Sequence, residues 1–357
     1  LTLSSHTSVI ELEANPLFYD KRYPYIQRIT IYTNLNTRDV LDFVLNHEGK
    51  LDIAPIPFNR KTEAVLSPYT KLVSHPSTHN ISVYPNMLKP NGVLKNQEIR
   101  IALNEVINQE NLLKFVYKNE GRIAPTASTR NYYSVAIATK DLPTHYKKAK
   151  NDPQFAQKEK RRHELLNGLH LKVYTLERFM FLWKGIEYQL GRYGVTLEYE
   201  TTNNEKELYG KLLTNREDPK DWDLLAWGND DWCSNHPWTV FFNYRTSDVW
   251  STIDKDELLQ EYLEKFFELP YNSPEFIEMV KTITKHVYDR AYMLFVPSPN
   301  TVLAVNKEID YVPSAVLSMP LWKARITPFH WSVRGQKEYP ASRQKPVRPR
   351  VYPKKVP

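Results

Sequence analysis

The sequence predicts an α/β protein, and three observations carry that reading. Segments with period-two alternation and β-branched residues, such as Arg28 to Tyr32 and Val195 to Tyr199, alternate along the chain with segments of helical period. The helical segments are long and fall between strands, which argues against an all-β body. A length of 357 residues with 41% hydrophobic and 25% charged residues gives room for two domains, or one large one, each with a real core.

Taken in order, Val9 to Glu13 and Arg28 to Tyr32 read as strands, with Asn15-Pro16 as punctuation between them. Thr37 to Glu48 places Val40, Leu41, Val44 and Leu45 on one helical face, and Gly49 stands at its stop. Leu51 to Pro55 follows as a strand, so this stretch predicts a βαβ unit. Asn80 to Tyr84 is a strand ahead of a loop around Pro85, Pro90 and Gly92. Gln97 to Val106 is a helix, and Asn108 caps a second one carrying Leu112, Leu113 and Val116. The polar stretch from Gly121 to Lys160, broken by Pro125, Pro143 and Pro153, predicts a long surface loop with little helix.

Leu169 to Thr175 is again a strand, and Glu177 to Tyr193 is an amphipathic helix closed by Gly194. The strand at Val195 to Tyr199 and a helix at Glu205 to Leu213 follow. Trp222 to Trp227 is a short apolar run suited to a buried strand ending at Gly228. Asp254 and Glu257 form a capping-box variant for the helix bearing Leu258 to Phe267. Ser273-Pro274 opens another helix, with proline in the tolerated first position. Two strands, Tyr292 to Val296 and Thr301 to Val305, complete the pattern.

The charge of +7 does not point to nucleic acid. Residues 336–357 hold seven Lys and Arg against Glu338, so +6 of the +7 lies there and the body is nearly neutral. That tail, with five prolines, predicts a disordered basic extension. No apolar run approaches the roughly 18 residues a bilayer-spanning helix needs, and no signal peptide is visible. A single cysteine excludes a disulfide within the chain. Phosphate-cradling glycine loops, His-Glu-x-x-His and Gly-x-Ser-x-Gly are all missing from the sequence, so binding is favoured over catalysis, with no cofactor, no metal and no catalytic residue expected.

The segment after Gly228 is too polar for a strand and too aromatic for an ordinary loop. Asn229, Asp230, Asp231, Trp232 and Trp238, with Trp227 before them, are the candidate ligand-binding residues. Ligands of open α/β sheets sit at the carboxyl ends of strands, and aromatic walls with a few placed charges describe a pocket. Asp230 or Asp231 would meet a cationic or ammonium group, and the tryptophans planar or apolar bulk. The same residues also suit a core of tryptophans with one aspartate capping the next helix. Cys233 and His236 lie three apart, and a small buried thiol beside a loop imidazole explains them better than a nucleophile pair.

Four segments together resemble extracellular solute-binding proteins of family 5, the peptide- and nickel-type substrate-binding proteins of ABC importers. Asn15-Pro16-Leu17-Phe18-Tyr19-Asp20 with Tyr23-Pro24-Tyr25-Ile26 is similar to the family's Asn-Pro-x-Tyr-Trp segment. Gly49-Lys50-Leu51-Asp52-Ile53-Ala54 resembles its Gly-Glu-x-Asp-Ile element. Ile99-Arg100-Ile101-Ala102-Leu103-Asn104 with Ile107-Asn108-Gln109-Glu110 resembles its Val-Arg-x-Ala-Leu helix. Asp223 to Asp230 looks like the strand and Trp-x-x-Asp loop that carry ligand contacts, although Pro237 comes later here than the family's proline.

The resemblance implies a type II periplasmic-binding-protein-like fold with two discontinuous lobes and the N-terminal part of the family fold absent, so that the chain is the C-terminal portion of a longer protein. The expected lobes are residues 1–88 with 306–335, and residues 89–305, followed by the tail at 336–357. The implied function is capture of a small peptide or similar polar solute, as a monomer, for delivery to ABC permease subunits in the membrane, in a periplasmic or extracytoplasmic, membrane-anchored setting. The alternative is a ligand-sensing module of a regulator built on the same fold.

Overall fold

The computed structural model describes residues 8–33, 35–229, 231–233, 235–314 and 320–335, the side chains of Ser8 and Asn229 excepted. The basic tail expected at 336–357 lies outside the described residues.

The first elements are strands β1 (Ser8–Glu13) and β2 (Arg28–Thr33), helix α1 (Thr37–Asn46), strand β3 (Ile53–Pro55), helix α2 (Lys61–Leu66) and strands β4 (Thr70–Pro76) and β5 (Asn80–Pro85). Helices α3 (Gln97–Val106) and α4 (Gln109–Phe115) lead to the short strand β6 (Gly121–Arg122). Helices α5 (Tyr133–Ala138), α6 (His145–Lys150) and α7 (Phe155–Leu166) precede β7 (His170–Leu176), α8 (Met180–Gly191), β8 (Thr196–Thr202) and α9 (Glu205–Leu213). Strand β9 (Leu224–Asn229), helices α10 (Trp238–Phe241), α11 (Glu257–Glu268) and α12 (Pro274–Arg290), and strand β10 (Ser298–Asn306) follow.

Two four-stranded sheets organise these elements. In the first, β10 runs antiparallel between β3 and β4, with β6 attached at its start. Alternation along β10 sends Val302 and Ala304 into a cluster with Leu41, Val44 and Leu45 of α1 and Ala64 of α2, while Leu303 and Val305 join Ile309, Tyr311 and Ala324 on the other face. Both faces are covered, which is why the strand reads as an unbroken apolar run. At the edge of this region Asp52 accepts from Asn306 Nδ2 at 2.9 Å and Trp331 Nε1 at 2.9 Å. The same contacts bring the Trp331 ring over Gly49, where φ is +80° and a Cβ would come within 3.1 Å of it.

The second sheet has the order β5-β9-β7-β8, with β7 parallel to both β8 and β9 and β5 antiparallel to β9. Here β7-α8-β8 is a genuine parallel crossover, and α8 buries Leu182, Trp183, Ile186 and Leu190 against the sheet. The Trp183 indole donates to Thr175 Oγ1 at 2.9 Å, so its one polar atom is satisfied in a dry core.

Several expectations are corrected. The stretch β2-α1-β3 is not a βαβ unit: β2 pairs only with β1, and β3 pairs with β10, some 250 residues away in sequence. The stretch from 121 to 160 is not a surface loop, since it contributes three helices and a buried run at Ala124–Thr129. That polar run is admitted to the interior because Asn80 accepts from Thr129 N at 2.7 Å, and Gln109 holds Ala124 through both its backbone N–H and its carbonyl. Tyr292 to Val296 is not a strand, and only Leu294 bridges to Val83.

Sheet membership does not follow chain order. β5 belongs to the second sheet, and β10 is the centre of the first. The chain therefore passes between sheets at 77–79 and at 296–297, and β6 returns to the edge of the first sheet in between. Among the described residues no helix is long and apolar enough to cross a membrane.

Candidate functional site

β9 starts two residues later than its apolar run suggests and ends on Asn229, so Trp227 and Gly228 lie inside the strand. It is paired along its length with β5, Asn80 opposite Asn229 and Ser82 opposite Trp227. Gly228 is required by close approach, because a Cβ there would lie 2.9 Å from the His79 ring and 3.1 Å from Phe179. Asp230 and the side chain of Asn229 lie outside the described residues.

The structure places the tryptophans of this stretch around one ring, Phe242. Trp227 lies 6.5 Å from it, Trp232 5.5 Å and Trp238 6.4 Å, all at steep angles. They differ in access. Trp227 is only 9% exposed, Trp232 is 57% exposed, and half-buried Trp238 also meets Phe267 edge-on at 4.4 Å.

Sequence reasoning missed Trp250, which stacks on Trp227 at 5.2 Å with an interplanar angle of 16°, and Tyr209, whose ring meets Trp227 edge-on at 5.3 Å. Tyr209 is the centre of a polar relay: its hydroxyl accepts from Trp227 Nε1 at 3.1 Å and donates to Glu205 at 3.1 Å, and Glu205 pairs with Arg178 at 2.6 Å. Arg178 follows β7 and Glu205 opens α9, so the relay joins the carboxyl ends of neighbouring strands, where this class of sheet presents its ligand sites.

Asp231 is buried and fully engaged by its own loop. It accepts from Asn235 N at 2.6 Å, Cys233 N at 3.2 Å and Thr239 Oγ1 at 3.1 Å, so it closes its own loop and does not cap the next helix, where Pro237 stands at the N-cap with no side-chain bond. Burial raises the pKa of the neighbouring Tyr132 phenol, and the charge of Asp231 adds to that. Burial also pushes the Cys233 thiol up and the His236 imidazole down, so both are held neutral. His236 accepts from Trp238 N at 3.2 Å and sits among Tyr271, Phe266 and Phe276, as a core imidazole does. No group of three potential metal ligands occurs among the described residues. A separate groove of about 870 Å³ between α5, α11 and α12 shares none of the residues of this site.

Structural comparison defines the class first. The chain matches an ABC transporter substrate-binding protein, CtaP, from Listeria monocytogenes with a TM-score of 0.72 at 18% identity, over 89% of this chain and 64% of that one. It matches the periplasmic binding protein DppA from Helicobacter pylori, solved with the peptide STSA, with a TM-score of 0.70 at 14% identity, over 89% and 60%. NikZ from Campylobacter jejuni, solved with Ni(L-His), gives a TM-score of 0.67 at 16% identity, over 87% and 62%. These are type II periplasmic-binding-protein folds, and the chain spans less than two thirds of the length of each. No curated protein sequence matches it.

The family model for bacterial extracellular solute-binding proteins, family 5, matches residues 2–252, and the chain belongs to that family. Its members are non-enzymatic solute carriers for which a periplasmic location is typical.

Proposed function

We propose that the chain captures a small peptide or similar polar solute, without chemistry, and delivers it to the membrane permease of an ATP-dependent importer, acting as an extracytoplasmic, membrane-anchored monomer built from two units. The observation that carries this reading is the aromatic group at the carboxyl end of β9: a stacked Trp227–Trp250 pair, an exposed Trp232 beside it, and a charged relay at its edge. Such a surface takes planar or apolar groups of a ligand and leaves its polar ends to a few placed partners. Neighbours of the same fold solved with a peptide and with a nickel–histidine complex support this size and polarity of ligand.

Asp230, the carboxylate next in sequence after β9, is assigned as the anchor for the ligand's cationic group, since Asp231 is spent on its own loop. A unit charge pair at about 4 Å and an effective dielectric near 20 is worth on the order of 4 kcal/mol before desolvation is subtracted. The expected net loss in Asp230→Asn is one to two decades of affinity, roughly 1.4 kcal/mol each. Titration calorimetry with tri-alanine and a series of two- to five-residue peptides, beside thermal melting, measures it. Asp231→Asn should lower melting more than affinity. Undiminished affinity in Asp230→Asn, or loss only in Asp231→Asn, would remove Asp230 from the site.

A further inference from the structure

The two sheets are served by separate hydrophobic clusters, and among the described residues Phe58 is the one side chain packed against both. Its ring meets Tyr117 edge-on at 5.2 Å and Phe181 at 6.2 Å, both on the side of the second sheet. One turn further on, Lys61 opens α2 and reaches across to donate to Glu120 Oε1 at 2.7 Å and to the carbonyl of Lys118 at 2.7 Å. Glu120 follows α4 in the chain, yet it is 9% exposed and held mainly by the first sheet. Its carboxylate accepts from Ser74 on β4 and, at 3.4 Å, from Asn300 Nδ2 on β10, while its carbonyl accepts from Asn300 N at 3.2 Å.

The backbone around this group is special. Lys118 and Asn119 both have positive φ, 52° and 66°, a conformation that costs a lysine energy and persists only where the surroundings enforce it. Gly121 next to Glu120 pairs with Pro299, and a Cβ there would come within 2.6 Å of the Ser298 carbonyl. The chain crosses between the sheets at 77–79 and 296–297 and touches the first sheet again at β6, and this turn lies against the second crossing. Burial pushes the Glu120 carboxyl up, but Lys61 and Ser74 outweigh it and keep the group ionised. The result is a non-covalent link of opposite charges beside the second crossing.

We propose that Lys61 and Glu120 form a clamp that fixes the angle between the two units and, through that angle, sets the affinity of the site at the end of β9. The route is short: the 77–79 crossing runs directly into β5, whose Asn80 pairs with Asn229, and His79 lies against Gly228. A fixed angle presents the site ready-made, whereas a loose one must be ordered on binding. The affinity part rests on the binding function proposed above; the angle part does not.

Pulsed electron–electron resonance between spin labels at Arg38→Cys on α1 and Tyr188→Cys on α8, in a Cys233→Ser background, reads the angle. The intact clamp should give one narrow distance distribution. Glu120→Gln and Lys61→Met should each broaden it or add a second distance, the double variant should do no more than either single one, and the swap Lys61→Glu with Glu120→Lys should narrow it again. Unlabelled Glu120→Gln should bind tri-alanine about 3- to 10-fold more weakly. Distances that stay narrow in every variant that keeps the native circular dichroism spectrum overturn the clamp, whatever happens to affinity. Broadened distances with unchanged affinity overturn the link to the site. Failure of the parent protein to bind tri-alanine counts against the peptide reading alone, and the distances then decide the clamp.

Discussion

Replacing Arg100 with methionine is expected to destabilise the protein by about 3 to 5 kcal/mol, because it leaves a set of buried carbonyls without donors. Arg100 is 4% exposed and pairs with no carboxylate. Its guanidinium instead donates to Leu94 O at 2.8 Å, Lys95 O at 3.0 Å, Arg290 O at 2.9 Å and Ala291 O at 3.0 Å. The last two are carbonyls at the C-terminal end of α12, where the helix leaves acceptors unfilled and its dipole favours a cation. Burial lowers the Arg100 pKa to about 10, which still leaves the group charged at neutral pH. Asn104, one turn along, donates to Met293 O at 2.9 Å and accepts from Phe295 N at 2.8 Å, so one face of α3 holds the whole approach to the second crossing. Urea denaturation of Arg100→Met and Arg100→Lys measures the effect. Lysine, with its three donors on one nitrogen, should recover only part of the loss. A methionine variant within about 1 kcal/mol of the parent would show that the carbonyls find other partners.

Asp256→Ala should cost about 3 kcal/mol through two losses at once, a helix cap and the acceptor for two buried donors. One carboxylate oxygen caps α11 by accepting from Leu259 N at 3.0 Å, and the other meets His286 Nε2 at 2.6 Å and the Tyr292 hydroxyl. Burial pushes the carboxyl up, yet Tyr292, His286 and the Leu259 amide outweigh it and hold its pKa below the usual value. A carboxyl depressed in the folded state contributes stability that is present above its unfolded pKa, about 3.9, and is lost as pH falls through the folded value. Melting temperatures followed from pH 7 downward should therefore fall less steeply below about pH 4 in Asp256→Ala than in the parent. Parallel curves would mean that Asp256 carries no such linkage.

Local signals were legible where one residue type does one job. Ser273-Pro274 caps and opens α12 as read, Asn108 caps α4, and the helix at Glu205–Leu213 has the expected ends. The cap of α11 was misread because two aspartates two residues apart are equivalent in sequence, and only the position of His286 and Tyr292 in space selects Asp256 over Asp254. Non-local pairing was not legible at all: nothing in Leu51–Pro55 announces that its partner is Leu303–Val305. The buried polar run at Ala124–Thr129 was hidden for the same reason, since Asn80 and Gln109, which hold its two ends, lie elsewhere in the chain.

The candidate site divided along similar lines. Trp227, Trp232 and Trp238 were visible because they cluster in sequence, and the structure gathers them around Phe242. Trp250 and Tyr209 were not, because each stands alone in its segment and gains meaning only from the Trp227 ring between them. The motif at Arg100 and Asn104 carried the family resemblance, yet its side chains act on helix ends and crossings and touch none of the site.

Native mass spectrometry of the protein purified without refolding tests the central claim, that this is a carrier with a ligand site at the end of β9. The account predicts one small molecule per chain, bearing an ammonium or other cationic group, released by mild denaturation and lost from Asp230→Asn and Trp227→Ala variants that still melt cooperatively. A parent protein that emerges empty and takes up no member of a mixed pool of short peptides would contradict it.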